Sequence, residues 1–450
     1  MSCESNNATP PSPAIAPGGE TLDARRIAEE VGQRGMDPRI TELVPGFDAP
    51  FFQAGLAGYS DAAMRIIARR HGCPFCVTEA LLDRTLLAGG RGFDKADLGE
   101  LHDNIPGGDE DHPLAGQIMG SDPREMAAAA LKMVEQKARS DREYRSMVAG
   151  AEWQSGKVAE WQSDNAGNAG AASSTSPLRH SPTLPLSSFE VIDVNLACPV
   201  KKIERKARGG HWLAEPDGAV AILEAVREAV PAGIPCTLKI RRAFDDTPEM
   251  AANFERILHA AFRMGYAWAT VHARTVQQKY VGPSRWDLLR DIVKRHQDAP
   301  GGRPILGSGD IWNVNEIFRM IGYTGVAGVS VARGCIGNPW IFRQARQMMA
   351  GSPPAAPTVA EQREALRQHF ELSLAVTRRF KHGEEATSKM MRKFGIRFAA
   401  HHPQGEEVRR RMIAVSSTAD WMDVLEQFYA ASPETADAAL RAHARPAPTG

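Results

Sequence analysis

Cys198 stands in Asn195-Leu196-Ala197-Cys198-Pro199 and is followed by Lys201-Lys202-Ile203-Glu204-Arg205-Lys206-Ala207-Arg208, five basic residues against one acidic. Cations nearby favour a reactive thiol, so this cysteine is a candidate for chemistry. The bland alternative is a buried small hydrophobe, the commonest fate of a cysteine outside a disulfide. Other polar residues recur at or just past the ends of short apolar runs: Glu79, Gln117, Asn195, Lys239, His272 with Arg274, Asp310 and Arg333. Burying an ammonium such as Lys239 without a partner is expensive, so these positions favour a shared polar site over core packing. Two glycine-rich turns complete the set, Gly307-Ser308-Gly309-Asp310 and Arg333-Gly334-Cys335-Ile336-Gly337-Asn338. Glycines let backbone N–H groups approach phosphate oxygens, and Arg333 can add a charge-assisted contact, which suits a phosphate-bearing cofactor. Cys73-Pro74-Phe75-Cys76 has the spacing of a redox or zinc pair, but with no second pair it reads as structural thiols. No metal site is expected.

The elements that must position these residues follow a regular rhythm. Apolar runs that suit buried strands lie at Phe51–Ala54, Phe75–Thr78, Leu114–Ile118, Val191–Asn195, Cys236–Ile240, Ala269–His272, Pro304–Gly307 and Gly328–Val331. Helical patterns fall between them, clearest at Glu125–Glu135, Ala219–Ala229, Met250–Met264 and Val314–Ile321. Eight strands alternating with helices predict an α/β fold, a (β/α)8 TIM barrel, whose active site lies at the C-terminal ends of the strands. An open doubly wound sheet competes, but no Gly-x-Gly-x-x-Gly turn follows the first run. After Pro357 the helical patterns continue without strands, which predicts a smaller C-terminal α-helical domain.

The expected organisation is an N-terminal extension over 1–48, partly disordered, a barrel over 49–350, a helical domain over 357–432 and a tail over 433–450. Two stretches read as insertions. Residues 89–112 are acidic and Gly-rich, and 150–188 hold a tandem Ala-Glu-Trp-Gln-Ser at Ala151–Ser155 and Ala159–Ser163. Of the 450 residues 43% are hydrophobic and 24% charged, which excludes global disorder and a collagen-like or disulfide-dense chain. Lys+Arg and Asp+Glu both total 54, so a highly basic nucleic-acid scaffold is excluded, though a locally basic surface is not. No run reads as a membrane span or signal peptide, and six cysteines, far apart except for Cys73 and Cys76, suit a reducing cytoplasm.

Together these segments resemble the tRNA-dihydrouridine synthases, most closely the bacterial B subgroup through Lys201-Lys202. The resemblance runs through Ala57-Gly58-Tyr59-Ser60-Asp61, Gln117-Ile118-Met119-Gly120-Ser121-Asp122-Pro123, Asp193 to Pro199, Leu238-Lys239-Ile240-Arg241, His272-Ala273-Arg274-Thr275, Gly309-Asp310-Ile311 and Gly337 to Phe342. It implies FMN against Gly55, Leu56 and Ala57, with Gln117 and Lys239 at the isoalloxazine and His272 near the ring. It further implies Ser308, Gly309, Asp310, Ala332 and Arg333 around the ribityl phosphate, Cys198 as proton donor, and Asn195 and Arg274 near the substrate base. Gly55, Ser308, Ala332 and Gly209-Gly210-His211-Trp212-Leu213 depart from the family's usual residues.

The reaction so implied is FMN-dependent reduction of uridines in tRNA to 5,6-dihydrouridine, with NADPH as reductant. A hydride goes to C6 and a proton from the Cys198 thiol to C5. Another FMN-dependent barrel oxidoreductase acting on a small pyrimidine is the alternative. Between Glu361 and Met412 there are 12 Lys/Arg and 7 Asp/Glu, and Lys389, Arg392, Lys393 and Arg397 recur at helical spacing. They suit a phosphate-facing stripe for tRNA or, more plainly, a solvated helix face. A cytoplasmic monomer without membrane contact is expected.

Overall fold

The computed structural model describes residues 22–88, 109–135, 189–199, 209–377 and 383–430. The basic run Lys201 to Arg208, the 150–188 insertion, most of the 89–112 insertion and the tail lie outside them. Strands are β1 (Phe51–Gln53), β2 (Cys76–Val77), β3 (Leu81–Leu82), β4 (Leu114–Met119), β5 (Val191–Leu196), β6 (Cys236–Arg241), β7 (Ala269–His272), β8 (Ile305–Ser308) and β9 (Gly328–Val331). All pair in parallel. The circle closes because β1 pairs with both β9 (Phe51 opposite Val329) and β2 (Gln53 opposite Cys76), while β2 pairs with β4 (Cys76 opposite Leu114). The two-residue β3 is an addition on the end of β4. Eight strands therefore form a closed TIM barrel, at the positions the apolar runs predict.

Strand side chains alternate between barrel interior and helix layer. Leu114, Ile118, Ile192, Val194, Leu238, Ile240, Val271 and Val329 are buried beneath the helices. The opposite face changes character along the axis. Its lower end is apolar: Phe47 stacks on Phe75 at 4.6 Å and meets Phe52 and Trp268 edge-on. Its upper end carries Gln117, Asp193 and Lys239 around a small cavity of about 10 Å³.

The helices are α1 (Ala24–Arg34), α2 (Pro38–Thr41), α3 (Ala62–Arg70), α4 (Asp83–Ala88), α5 (Pro123–Val134), α6 (Pro216–Ala229), α7 (Pro248–Arg263), α8 (Trp286–His296), α9 (Val314–Thr324) and α10 (Trp340–Met349). Several begin with a polar cap soon after a strand: Asp61, Asp122, Thr247 and Asn313 accept from N–H groups of the first turn. Residues 22–48 are part of the packed body. α1 buries Ile27, Ala28 and Val31, with its Gly32 against the Met349 carbonyl, and Phe47 plugs the barrel floor. Asp111, expected in a peripheral acidic insertion, is instead buried in an ion pair with Arg65 at 2.6 Å.

Four more helices follow: α11 (Val359–Thr377), α12 (Gly383–Phe398), α13 (Gly405–Ala414) and α14 (Thr418–Tyr429). They share an apolar centre in which Phe370 stacks on Trp421 at 5.2 Å. This unit docks on the barrel through Trp340, edge-on to Phe398 at 5.3 Å and to His401 at 5.1 Å. No helix among the described residues is long and apolar enough to cross a membrane.

Candidate active site

The thiol is aimed by the strand that precedes it. Asn195 accepts from Ala197 N at 2.8 Å, turning the chain at the end of β5 so that Cys198 leaves the strand at the barrel mouth. The Asn195 amide donates to Gln117 Oε1 at 2.6 Å, and Gln117 Nε2 donates to Asp193 Oδ2 at 2.7 Å. Thr237 Oγ1 donates to the other oxygen of Asp193 at 2.6 Å. Burial raises the Asp193 carboxyl above its usual range, opposed by Thr237, Gln117 and the charge of Lys239. Gln117 is thus held at both ends of its amide, beneath the Gly55 turn, where any Cβ on residue 55 would lie 2.2 Å from the Thr78 carbonyl. Beside that turn, Gly58 N donates to Glu79 Oε2 at 2.7 Å, joining the loops after β1 and β2.

Lys239 sits opposite Asn195 in the β5–β6 register and lines the interior cavity. Burial pushes its ammonium down to about 8, and Arg241 pushes the same way, while Asp193 and Cys198 act in the opposite sense. His272, opposite Arg241 in the next register, is held far below its ordinary value by burial and by Arg241, Lys239, Arg274 and Arg333. It is a neutral imidazole whose Nδ1 accepts from Arg274 N at 3.2 Å, which leaves the proton on Nε2. Four cations from three strand ends therefore act on one ring.

Across the mouth, Gly309 and Asp310 take positive φ, +123° and +57°. Asp310 holds this turn together: its carboxylate accepts from Arg274 Nη2 at 2.7 Å to each oxygen and from Ser284 N at 2.8 Å. Arg333 lies 3.7 Å from the same carboxylate, with its guanidinium over the Trp312 ring at 4.4 Å and near Tyr280 at 5.1 Å. Ala332 follows β9 immediately before it, and Ser308 ends β8 buried.

Arg241 joins the two halves. Its Nε donates to the Ala197 carbonyl at 2.9 Å, and its Nη1 donates to Thr275 and Lys279 carbonyls at 2.6 and 2.8 Å. Tyr280 lies 5.5 Å from it and also faces Arg333. Cys198 and the Asp310–Arg333 turns thus occupy one rim, linked through Arg241 and Tyr280.

Arg274, expected near a substrate base, spends Nε and Nη2 on Gly282 and Asp310. Its buried Nη1 and the buried Ser284 Oγ have no partner among the described residues. Both are suited to an anionic group at the Gly309 turn, where backbone and cations converge. A flavin phosphate fits that chemistry. Lys393 reaches the Gly58 carbonyl and lies 5.0 Å from the Tyr59 ring, so it anchors α12 to the barrel beside the mouth. Lys389 pairs with Glu385, and Arg392 donates to the Lys389 carbonyl at 3.3 Å.

Sequence reading missed the roles of Asp193, Thr237, Arg241 and Ser284. The period of two was the available signal, because it sets 193 with 195, and 237 with 239 and 241, on one face.

The family model for dihydrouridine synthase (Dus) matches residues 186–432. A probable tRNA-dihydrouridine synthase of Mycobacterium leprae is 32% identical over 237 residues, 52% of this chain and 58% of that protein. The tRNA-dihydrouridine synthase B of Pseudomonas putida is 28% identical over 366 residues, 81% of this chain and 87% of that protein. Among solved structures, a TcOYE complex with pHBA aligns at TM-score 0.38 and 11% identity, over 74% of this chain and 95% of that one. The alignment to M. leprae thus spans only a little over half of that relative's length. With more than half of its residues matched by one family model, this chain belongs to the dihydrouridine synthase family.

Proposed function

We propose that this protein reduces specific uridines of tRNA to 5,6-dihydrouridine, with FMN as cofactor and NADPH as the reductant. A bound flavin would supply the hydride for uracil C6. Gly55, Leu56, Ala57, Gln117 and Lys239 would hold its ring, and Ser308, Gly309, Asp310, Ala332 and Arg333 its phosphate end. The observation that carries the reading is the single rim shared by Cys198, Lys239, His272 and the Asp310–Arg333 turns.

Cys198 acts as the protonated thiol, delivering its proton to C5, since a developing carbanion needs a positioned acid. Lys239, with its ammonium near 8, remains mostly charged at pH 7 and donates toward negative charge at a pyrimidine carbonyl. His272 stays neutral and offers Nε2–H. Arg274, fixed on Asp310, offers Nη1. The target base must leave its stack, an extrusion of a few kcal/mol that RNA contacts along α12 would offset.

The test is incubation of unmodified tRNA with purified protein, FMN and NADPH, followed by mass mapping of dihydrouridine. Reduction of free pyrimidines without any change in tRNA would overturn the proposal.

A further inference from the structure

At the floor end of the barrel, α7 and α8 bring three ligating side chains together outside the mouth. Glu255 and His259 are one turn apart on α7 and share a face. His296 is the last residue of α8, next to Gln297, whose side chain accepts from Ile305 N at the start of β8. That places the group at the opposite end from Cys198. One oxygen of Glu255 and one nitrogen of each histidine lie within 4.8 Å of one another.

We propose that Glu255, His259 and His296 form a binding site for a divalent transition metal such as Zn²⁺, clamping α7 to α8. Glu255 Oε2 already faces His296 Nε2 at 2.6 Å across a shared proton. A cation entering there replaces that proton, as metal binding to protonated ligands does. Bonds of about 2.0–2.2 Å set tetrahedral donors roughly 3.3 Å apart, so the close pair opens slightly and the exposed His259 ring swings inward. Water fills the fourth position.

Three further features suit a cation. Arg295 Nη2 donates to Glu255 Oε1 at 2.8 Å, which orients the carboxylate with Oε2 toward the histidine, the usual work of an outer-shell partner. His296 closes α8, where the last carbonyls carry negative partial charge. His296 is 4% exposed, so its nitrogen is held rigidly, while His259 at the surface admits the ion. The charge of Arg295 opposes binding, which sets a moderate affinity. Two imidazoles favour zinc, cobalt or nickel over magnesium or calcium.

The experiment uses the full chain, stripped with chelator and titrated with ZnCl₂ or MgCl₂, reading bound metal and thermal stability. The expected result is one zinc lost on His259→Ala and on Glu255→Gln, with every cysteine retained. In the unaltered chain, zinc at a hundredfold excess over Kd raises Tm by roughly 2–5 °C, and magnesium does not. Cobalt bound at this site shows ligand-field bands without thiolate charge transfer. No zinc-dependent rise in the unaltered chain, or a rise that survives His259→Ala, overturns the proposal. Dihydrouridine formation is a separate readout, so the failure of either idea leaves the other standing.

Discussion

The Nε of Arg241 donates to the carbonyl oxygen of Ala197 at 2.9 Å, which ties the residue before Cys198 to the neighbouring strand. The same guanidinium serves two carbonyls of the loop after β7, so a single buried cation sets the distance between the thiol turn and the opposite rim. Burial pulls it down to about 10, yet it remains charged at neutral pH.

Replacing Arg241 by Ala strips the donor from three carbonyls at once. Each buried acceptor left without a donor costs about 1–3 kcal/mol, partly relieved by water. We expect a loss of roughly 2–4 kcal/mol in urea unfolding. Dihydrouridine formation should fall further than flavin binding, because the Ala197–Cys198 turn loosens first. Equal loss of both would mean that Arg241 supports the barrel rim as a whole.

Cys198→Ala removes the proposed acid and leaves the turns at Gly309 and Arg333 intact. Flavin colour and reduction by NADPH should persist, while tRNA reduction drops by about 10²–10⁴, the range of general acid catalysis. Full activity on natural tRNA would remove Cys198 from the mechanism.

Lys239 gives a pH signature. Its folded value, about 8, lies below the ordinary lysine value of 10.5, so between them the unfolded chain binds more protons. Stability contributed by this group therefore rises with pH across roughly 8 to 10.5. Lys239→Met lacks that contribution. In the flavin-free protein, the stability advantage of the Met variant should be greatest below pH 8 and shrink as pH rises to 10.5. A gap constant with pH would show that the ammonium is not suppressed.

Asp310→Asn keeps the shape of the turn but weakens its hold on Arg274, Ser284 and Arg333. Hydrogen bonds to charged groups contribute about 1.5–3 kcal/mol, so FMN affinity should fall about ten- to a hundredfold by fluorescence titration. Unchanged affinity would place the phosphate elsewhere.

Lys389→Ala with Arg392→Ala tests the RNA stripe without disturbing Lys393, which docks α12 on Gly58. Binding to tRNA should weaken, and the slope of log K against log salt should flatten by up to about 0.7–0.9 for each lost phosphate contact. An unaltered slope would leave these two residues as a solvated helix face. Adding Lys393→Ala should also lower stability, because that side chain belongs to the domain contact.

What the sequence determined by itself was element type and the polar ends of the strands. Apolar runs spaced by helical patterns were enough for an eight-stranded barrel, since periods of two and 3.6 are local properties. Glycines at 307 and 309, the lysine inside a buried run, and the cysteine just past a strand were visible for the same reason. The tertiary structure alone decided which polar groups satisfy one another. Arg274 turned out to clamp Asp310, Arg241 to brace Cys198's turn, Asp111 to neutralise Arg65, and His296 to meet Glu255. Each of these pairs joins different elements of the fold. No periodicity encodes them: a buried charge takes whichever partner barrel closure brings within hydrogen-bond reach, and closure is a property of the whole circle of strands.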